Sequence, residues 1–136
     1  MNDVNYIKGQ LQSWRACINW IAEKYPEKLF ELEHERKNLK GINYEENTGG
    51  GLVDESMRRS IVNDKLNELK EDSNHRKKTR AECEITVSQV KLEYQSVFEY
   101  RYKHLLDVPV VAGKTIYSES RIYEILNEEV KRIATK

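Results

Sequence analysis

Apolar residues recur at alternating spacings of three and four along much of this chain, and this period constrains the fold more than any other feature. A first stripe and a weaker second one run through Val4, Ile7, Leu11, Trp14, Ile18, Ile21 and Tyr25, then Leu29, Leu32 and Leu39. This spacing places the residues on one face of an α-helix. We expect an all-α protein with helices over about 3–24 and 27–39, because Pro26 breaks or kinks the chain between them.

A segment rich in glycine and asparagine interrupts the helical pattern. It runs from Gly41 to Gly51 and ends in three consecutive glycines, so we predict a flexible loop over 41–53. A glycine loop that binds phosphate would continue as Gly-Lys-Ser or Gly-Lys-Thr, whereas Leu52-Val53-Asp54 follows here. The loop therefore predicts a linker and not a nucleotide site.

Heptad spacing resumes after Asp54, a predicted helix cap. The apolar positions are Met57, Ile61 or Val62, Leu66 and Leu69, and beyond a polar stretch Cys83, Val87, Val90, Tyr94 and Val97. Both sets share one heptad frame, which fits either a single long helix or a helix bent near Ser73. The stripes are longer than one thin core requires. Residues 1–95 are therefore predicted to form a helical hairpin, coiled-coil-like, that oligomerises or binds a partner.

Composition sets limits on function. The 136 residues include 23 basic and 23 acidic side chains, and this zero net charge is an argument against a dedicated nucleic-acid binder. Two distant cysteines without a secretory signal predict a cytoplasmic protein. No apolar run reaches the ~18 residues that span a bilayer, so we expect no membrane contact. The histidines, cysteines and carboxylates show no catalytic or metal-ligand spacing, which predicts no enzyme, no metal and no cofactor.

The C-terminal segment carries the most specific pattern. Asp107 is a predicted N-cap for a short helix from Val108 to about Thr115, with Pro109 in its first turn. Ser118 is a second predicted N-cap, and the final helix has one apolar face formed by Ile122, Ile125, Leu126, Val130 and Ile133. A short helix, a tight turn and a longer helix form a helix-turn-helix, whose second helix enters the major groove of DNA. Residues 96–136 are therefore predicted to be a DNA-binding unit.

This geometry assigns roles to individual side chains. The predicted base-reading residues are Ser118, Glu119, Ser120, Arg121, Tyr123, Glu124 and Asn127. Arginine suits guanine, asparagine suits adenine and glutamate can accept from cytosine. The predicted phosphate contacts are Arg76, Lys77, Lys78, Arg80, Arg101, Lys103, Lys114, Lys131 and Arg132.

The same segment resembles the region-4 helix-turn-helix of bacterial sigma factors. The resemblance rests on the stretches 97–102, 105–107 and 117–122, closed by Leu126, Val130 and Ile133. The layout of the whole chain is similar to the small late-gene regulators of Gram-positive phages, the ArpU and RinA type. The chain departs from the helix-turn-helix pattern at the turn, where Ile116 replaces the usual glycine and Thr115 replaces an apolar residue.

The resemblance implies a phage or prophage regulator that activates genes at a promoter inside a bacterial host cell. Its implied partners are double-stranded DNA and host RNA polymerase. The length of the heptad stripes predicts in addition a homodimer or a higher oligomer. Two alternatives remain open. One is a small terminase-like subunit of DNA packaging, which would form a ring. The other is a helical protein-interaction module without DNA binding, in which the polar side of the last helix would be buried.

Overall fold

The computed structural model describes residues 3–40 and 55–135, and within these ranges it contains helices and no strand. The predicted all-α class is confirmed. The predicted flexible loop at 41–53 and the predicted cap at Asp54 lie outside the described residues.

The first two helices meet without the predicted break. Helix α1 spans Val4–Asn19, a π-helical turn spans Trp20–Lys24, and α2 spans Tyr25–Lys40. Asn19 and Tyr25 both keep α-helical backbone angles, and the Tyr25 N–H donates to the Trp20 carbonyl, five residues earlier. The chain is therefore not broken at Pro26, although the π-helical turn ends at Lys24, close to the predicted boundary between the two helices. The wider turn lies directly before Pro26, which has no N–H to donate. Asp3 caps the start of α1, since the Tyr6 N–H donates to Asp3 Oδ1 at 2.7 Å.

Helix α3 is a single helix of 35 residues, Glu55–Gln89. The backbone stays helical through Ser73, so the chain is not divided into two helices there. Val62 is buried at 1% exposure and Ile61 is exposed at 47%, so Val62 continues the stripe. The polar stretch between the two apolar sets is therefore part of one continuous helix.

Short elements follow α3. A 3-10 turn spans Leu92–Tyr94, α4 spans Gln95–Phe98, and a second π-helical turn spans Glu99–Lys103. Leu105 then has a φ of 53°, a left-handed conformation that is costly for a branched side chain. The Leu106 N–H donates to the Tyr100 carbonyl across this residue. The helical run thus ends in a tight C-terminal turn, and α5 (Val108–Lys114) and α6 (Glu119–Ala134) complete the chain.

The chain divides into two compact units. We call Met1–Ile18 together with Lys77–Lys136 the terminal unit, and Asn19–Arg76 the middle unit. The boundaries of these units lie at 18/19 and 76/77, and not at the predicted boundary of 95/96. The physical reason is that α1 and the end of α3 contribute Leu11, Trp14 and Val87 to the same core as Ile122 and Val130 of α6. The coiled-coil-like hairpin and oligomerising role of 1–95 stay predictions.

The terminal unit has the larger core. Its fully buried side chains include Trp14, Phe98, Ile122 and Ile125. Cys83 is also buried, and its Sγ–H donates to the Gln10 carbonyl at 3.3 Å. Burial, with smaller contributions from nearby Cys17, Glu82 and Glu84, raises the pKa of the Cys83 thiol to about 12. Cys83 is therefore a protonated core residue at neutral pH.

The middle unit is held by fewer apolar contacts. Val62 and Leu66 of α3 pack against Leu29 and Leu32 of α2. Trp20 is 9% exposed, and the Arg76 guanidinium carbon lies 4.5 Å from the centroid of its ring. Trp20 therefore packs within its own chain, against Arg76 of α3.

Candidate nucleic-acid interface

Helix α5 and the connection after it show why the departures from the family pattern are tolerated. Asp107 occupies the N-cap position of α5 with an extended backbone, although its side chain makes no capping hydrogen bond. The Thr115 hydroxyl donates to the Val111 carbonyl at 2.9 Å, so this polar side chain satisfies the end of α5. Among non-glycine residues in the described ranges, only Leu105 has a positive φ. The turn at Ile116 therefore requires no glycine.

Helix α6 presents two distinct faces. Ile122, Ile125 and Val130 are each fully buried at 0% exposure, and Leu126 is buried at 5%. Ser118 begins the helix as predicted, since its Oγ accepts the Arg121 N–H at 3.2 Å. The opposite face carries the exposed predicted base-reading residues, namely Glu119, Ser120, Tyr123, Glu124 and Asn127.

A buried carboxylate fixes α6 to the end of α3. Glu129 is 4% exposed and accepts hydrogen bonds from the Lys91 N–H at 3.0 Å and from Arg132 Nε at 2.7 Å. Arg132 also donates from Nη2 to the Gln89 carbonyl at 2.7 Å. Burial alone would raise the pKa of Glu129, but the hydrogen bonds from Arg132 and Lys91 outweigh it and hold this pKa below its ordinary value. Arg132 is thus paired within the protein while its side chain stays 36% exposed, and its phosphate role remains a prediction.

Arg121 is the predicted base-reading residue with the most internal partners. Its Nη1 lies 3.1 Å from Glu124 Oε2 and 3.6 Å from Glu128 Oε2. Its Nη2 donates to the Tyr94 hydroxyl at 2.9 Å, and its side chain is 37% exposed. The hydrogen bonds to Glu124 and then to Tyr94 raise the pKa of Arg121 further above its ordinary value. The guanidinium is held at the edge of the exposed face.

The other predicted phosphate contacts are divided between the two units. Lys114 and Lys131 are exposed on α5 and α6, while Arg101 donates to the Leu106 carbonyl and Lys103 lies over the Trp14 ring. Within the run 76–80, Lys77 is exposed, Arg80 is half-buried and Lys78 lies 4.0 Å from Glu82.

Arg76 is the predicted phosphate contact that falls in the middle unit. It is paired with Asp72 at 3.0 Å in addition to its stacking over Trp20. The run 76–80 is therefore not one uniform basic patch.

Lys8 is a candidate that sequence reasoning missed. Its Nζ donates to Asn127 Oδ1 at 3.0 Å, which brings an α1 ammonium beside the exposed face of α6. The two residues are 119 positions apart, so no local spacing pairs them. Only the packing of α1 into the terminal core identifies Lys8.

Charge is distributed unequally between the two units. The terminal unit contains 13 Lys and Arg against 10 Asp and Glu, whereas the middle unit contains 10 and 13. The zero net charge of the chain thus combines a basic unit with an acidic one. The argument from net charge against nucleic acid does not apply to the terminal unit taken alone.

Other kinds of site find no support in the parts of the chain that the structure describes. Over residues 3–40 and 55–135, no three His, Cys, Asp or Glu side chains form a group that could hold a metal ion. None of the helices there combines the length and apolarity needed to cross a membrane. Comparisons with protein-family models, curated proteins and solved structures found no match to this chain.

Proposed function

We propose that α5 and α6 act as a helix-turn-helix and that this protein is a sequence-specific DNA-binding transcriptional regulator, of the phage late-gene kind that residues 97–133 resemble. One observation carries the proposal. Helix α5 packs on α6 through the core that contains Val111 and Ile122, while the polar face of α6 is exposed. A recognition helix requires such bracing on one side and free access on the other.

The polar face of α6 is accessible within its own chain, as a recognition helix requires. A protein-interaction module whose last helix is covered by the rest of its own chain would instead leave Arg121 and Asn127 inaccessible. Here Asn127 is exposed and Arg121 retains 37% of its side-chain exposure. The positive balance of the terminal unit supports the same choice, because phosphate attraction supplies most non-specific affinity for DNA.

A second copy of the chain and host RNA polymerase are the further partners that we propose for this regulator. A dimer would place two recognition helices on half-sites one helical turn apart. Light scattering of the purified protein distinguishes a dimer from the ring expected of a terminase-like subunit.

Asn127→Ala tests the recognition face. Duplexes are first selected by the wild-type protein from a pool with a randomised central segment, and affinities are then measured by fluorescence anisotropy. We expect the variant to lose ~1–3 kcal/mol of discrimination at one base position, because an asparagine amide can pair with a base edge through two hydrogen bonds. Binding to a scrambled duplex should change little.

The matched control is Asn74→Ala, an exposed asparagine of α3 in the middle unit, which should leave both affinities unchanged. If the wild-type protein binds no duplex even at low salt, the DNA-binding proposal is wrong and the protein-interaction module becomes the better account. If the wild-type protein selects a sequence that both variants read equally well, Asn127 is not a base contact.

Lys8→Ala tests the contribution of α1. We expect the slope of log affinity against log salt to become shallower by ~0.9, since one phosphate contact fewer releases one counterion fewer. The loss of affinity should be the same for selected and scrambled duplexes, because phosphate carries no sequence information. Lys70→Ala, at an exposed lysine of the middle unit, is the control. An unchanged slope for Lys8→Ala would show that Lys8 of α1 does not contact the phosphate backbone of the DNA.

A further inference from the structure

Most charged side chains on the exposed face of α6 are acidic. Glu119, Glu124 and Glu128 lie on or beside it, and Lys131 is its exposed base. A helix with this charge would be repelled by phosphate if the carboxylates were left unpaired. Arg121 lies within hydrogen-bonding or ion-pairing distance of two of them. Arg121 therefore offsets two of the carboxylates of this face, beside the contributions of Lys131 and of the Lys8 ammonium next to Asn127.

The position of Arg121 is fixed from outside α6. Its Cζ lies 5.6 Å from the centroid of the Tyr94 ring, in addition to the hydrogen bond to the Tyr94 hydroxyl. Tyr94 itself packs edge-on against Tyr117, with ring centroids 5.6 Å apart, and the Tyr117 hydroxyl donates to the Glu93 carbonyl. These contacts tie the first turn of α6 to the 3-10 turn before α4. Reaching a base edge would require Arg121 to leave all of these partners.

We propose that Arg121 is a positioning residue and an intramolecular counter-ion of α6, and that it does not read a base. This inference rests on the proposed DNA binding. It assigns sequence selectivity to the neighbouring exposed side chains, Ser120, Tyr123 and Asn127. It also corrects the simplest expectation from sequence, in which the arginine in the first turn pairs with guanine.

Three variants distinguish a counter-ion role of Arg121 from a base-reading role. Arg121→Ala removes one positive charge, and Arg121→Ala with Glu128→Gln restores the net charge of the wild type. Glu128→Gln alone keeps Arg121 and removes one carboxylate. Glu124 is left unchanged because it is itself a predicted base contact. Affinities for the wild-type-selected duplex and a scrambled duplex are measured by fluorescence anisotropy at several salt concentrations, and folding is checked by circular dichroism.

We expect Arg121→Ala to weaken binding to both duplexes by the same factor, ~5- to 10-fold at low salt and less at high salt, because exposed charges are screened. The charge-matched double variant should return to within ~2-fold of wild type with its selectivity intact. Glu128→Gln should bind both duplexes more tightly, with an unchanged ratio between the affinities for the selected and the scrambled duplex. This measurement tests the inference even if Arg121→Ala folds poorly.

The opposite pattern overturns the inference. If the double variant recovers affinity for the scrambled duplex but not for the selected one, Arg121 reads a base. If Glu128→Gln leaves both affinities unchanged, the carboxylates do not oppose binding and Arg121 is not their counter-ion. If the wild-type protein selects no duplex, the proposed function itself fails, an outcome that the first measurement reports separately.

Discussion

Replacing Phe98 with alanine is expected to lower the free energy of unfolding by ~3–5 kcal/mol. Phe98 is fully buried at 0% exposure in the core of the terminal unit, where its ring lies 5.9 Å from that of Tyr102. Truncation removes the buried ring and leaves a cavity that α4 and α6 cannot close without shifting their backbones. Urea unfolding followed by circular dichroism measures the change.

The chain contains its own control for this prediction. It has two phenylalanines, and the other, Phe30, is 70% exposed on α2 and stacks on His34. Phe30→Ala should change the stability by less than ~1 kcal/mol, since it removes little buried area. Equal losses for the two variants would show that Phe98 is not at the centre of the core.

Replacing Glu129 with alanine is expected to cost ~2–3 kcal/mol, because it removes two hydrogen bonds to a charged acceptor and leaves the Lys91 N–H without its partner. Glu129→Gln should cost less, since an amide oxygen can still accept from Lys91. The exposed Glu84, replaced by glutamine, is the control in the same unit. A loss no larger than that of the control would show that this carboxylate does not fix α6.

The Glu129 contribution should also depend on pH. Its folded-state pKa is lowered, so the stabilisation by the charged carboxylate is fully present above the unfolded pKa of ~4.3 and is lost as the pH falls through the folded value. The stability difference between wild type and Glu129→Gln should therefore be constant from about pH 7 to pH 5 and shrink below ~4.3. A difference that grows on acidification would contradict the direction of the pKa shift.

Much of the secondary structure could be predicted from sequence because apolar periodicity and caps act locally. The stripe through Ile7, Leu11 and Trp14 is buried as its spacing predicts. Ser118 caps α6, and Ile122, Ile125 and Val130 form its buried face. The break allowed for at Pro26 does not occur, because the helix continues through a π-helical turn directly before this residue, an option that residue type alone does not reveal.

The candidate site could be predicted only in part. The pattern of α6 identifies which side chains are exposed, but not which of them are occupied by other parts of the chain. In the sequence, Arg121 and Arg132 look like cationic side chains that are available to bind DNA. In the structure, Tyr94 and Glu124 bind Arg121, and Glu129 binds Arg132. Long flexible side chains pair with whatever the fold brings near, and that is not encoded in local spacing.

The sequence by itself determined that this chain is helical, near which residues its longer described helices begin, and which face of α1 and of α6 is apolar, whereas Met57 of the predicted α3 stripe is exposed. These properties depend on hydrogen bonds and side-chain periodicity within a few residues. Only the tertiary structure decided that α1 shares a core with α6, that Lys8 lies beside Asn127, and that the terminal unit has more basic than acidic residues while the middle unit has the reverse. Those properties depend on residues about a hundred positions apart, because apolar burial is not directional and gives no local signal of its partner.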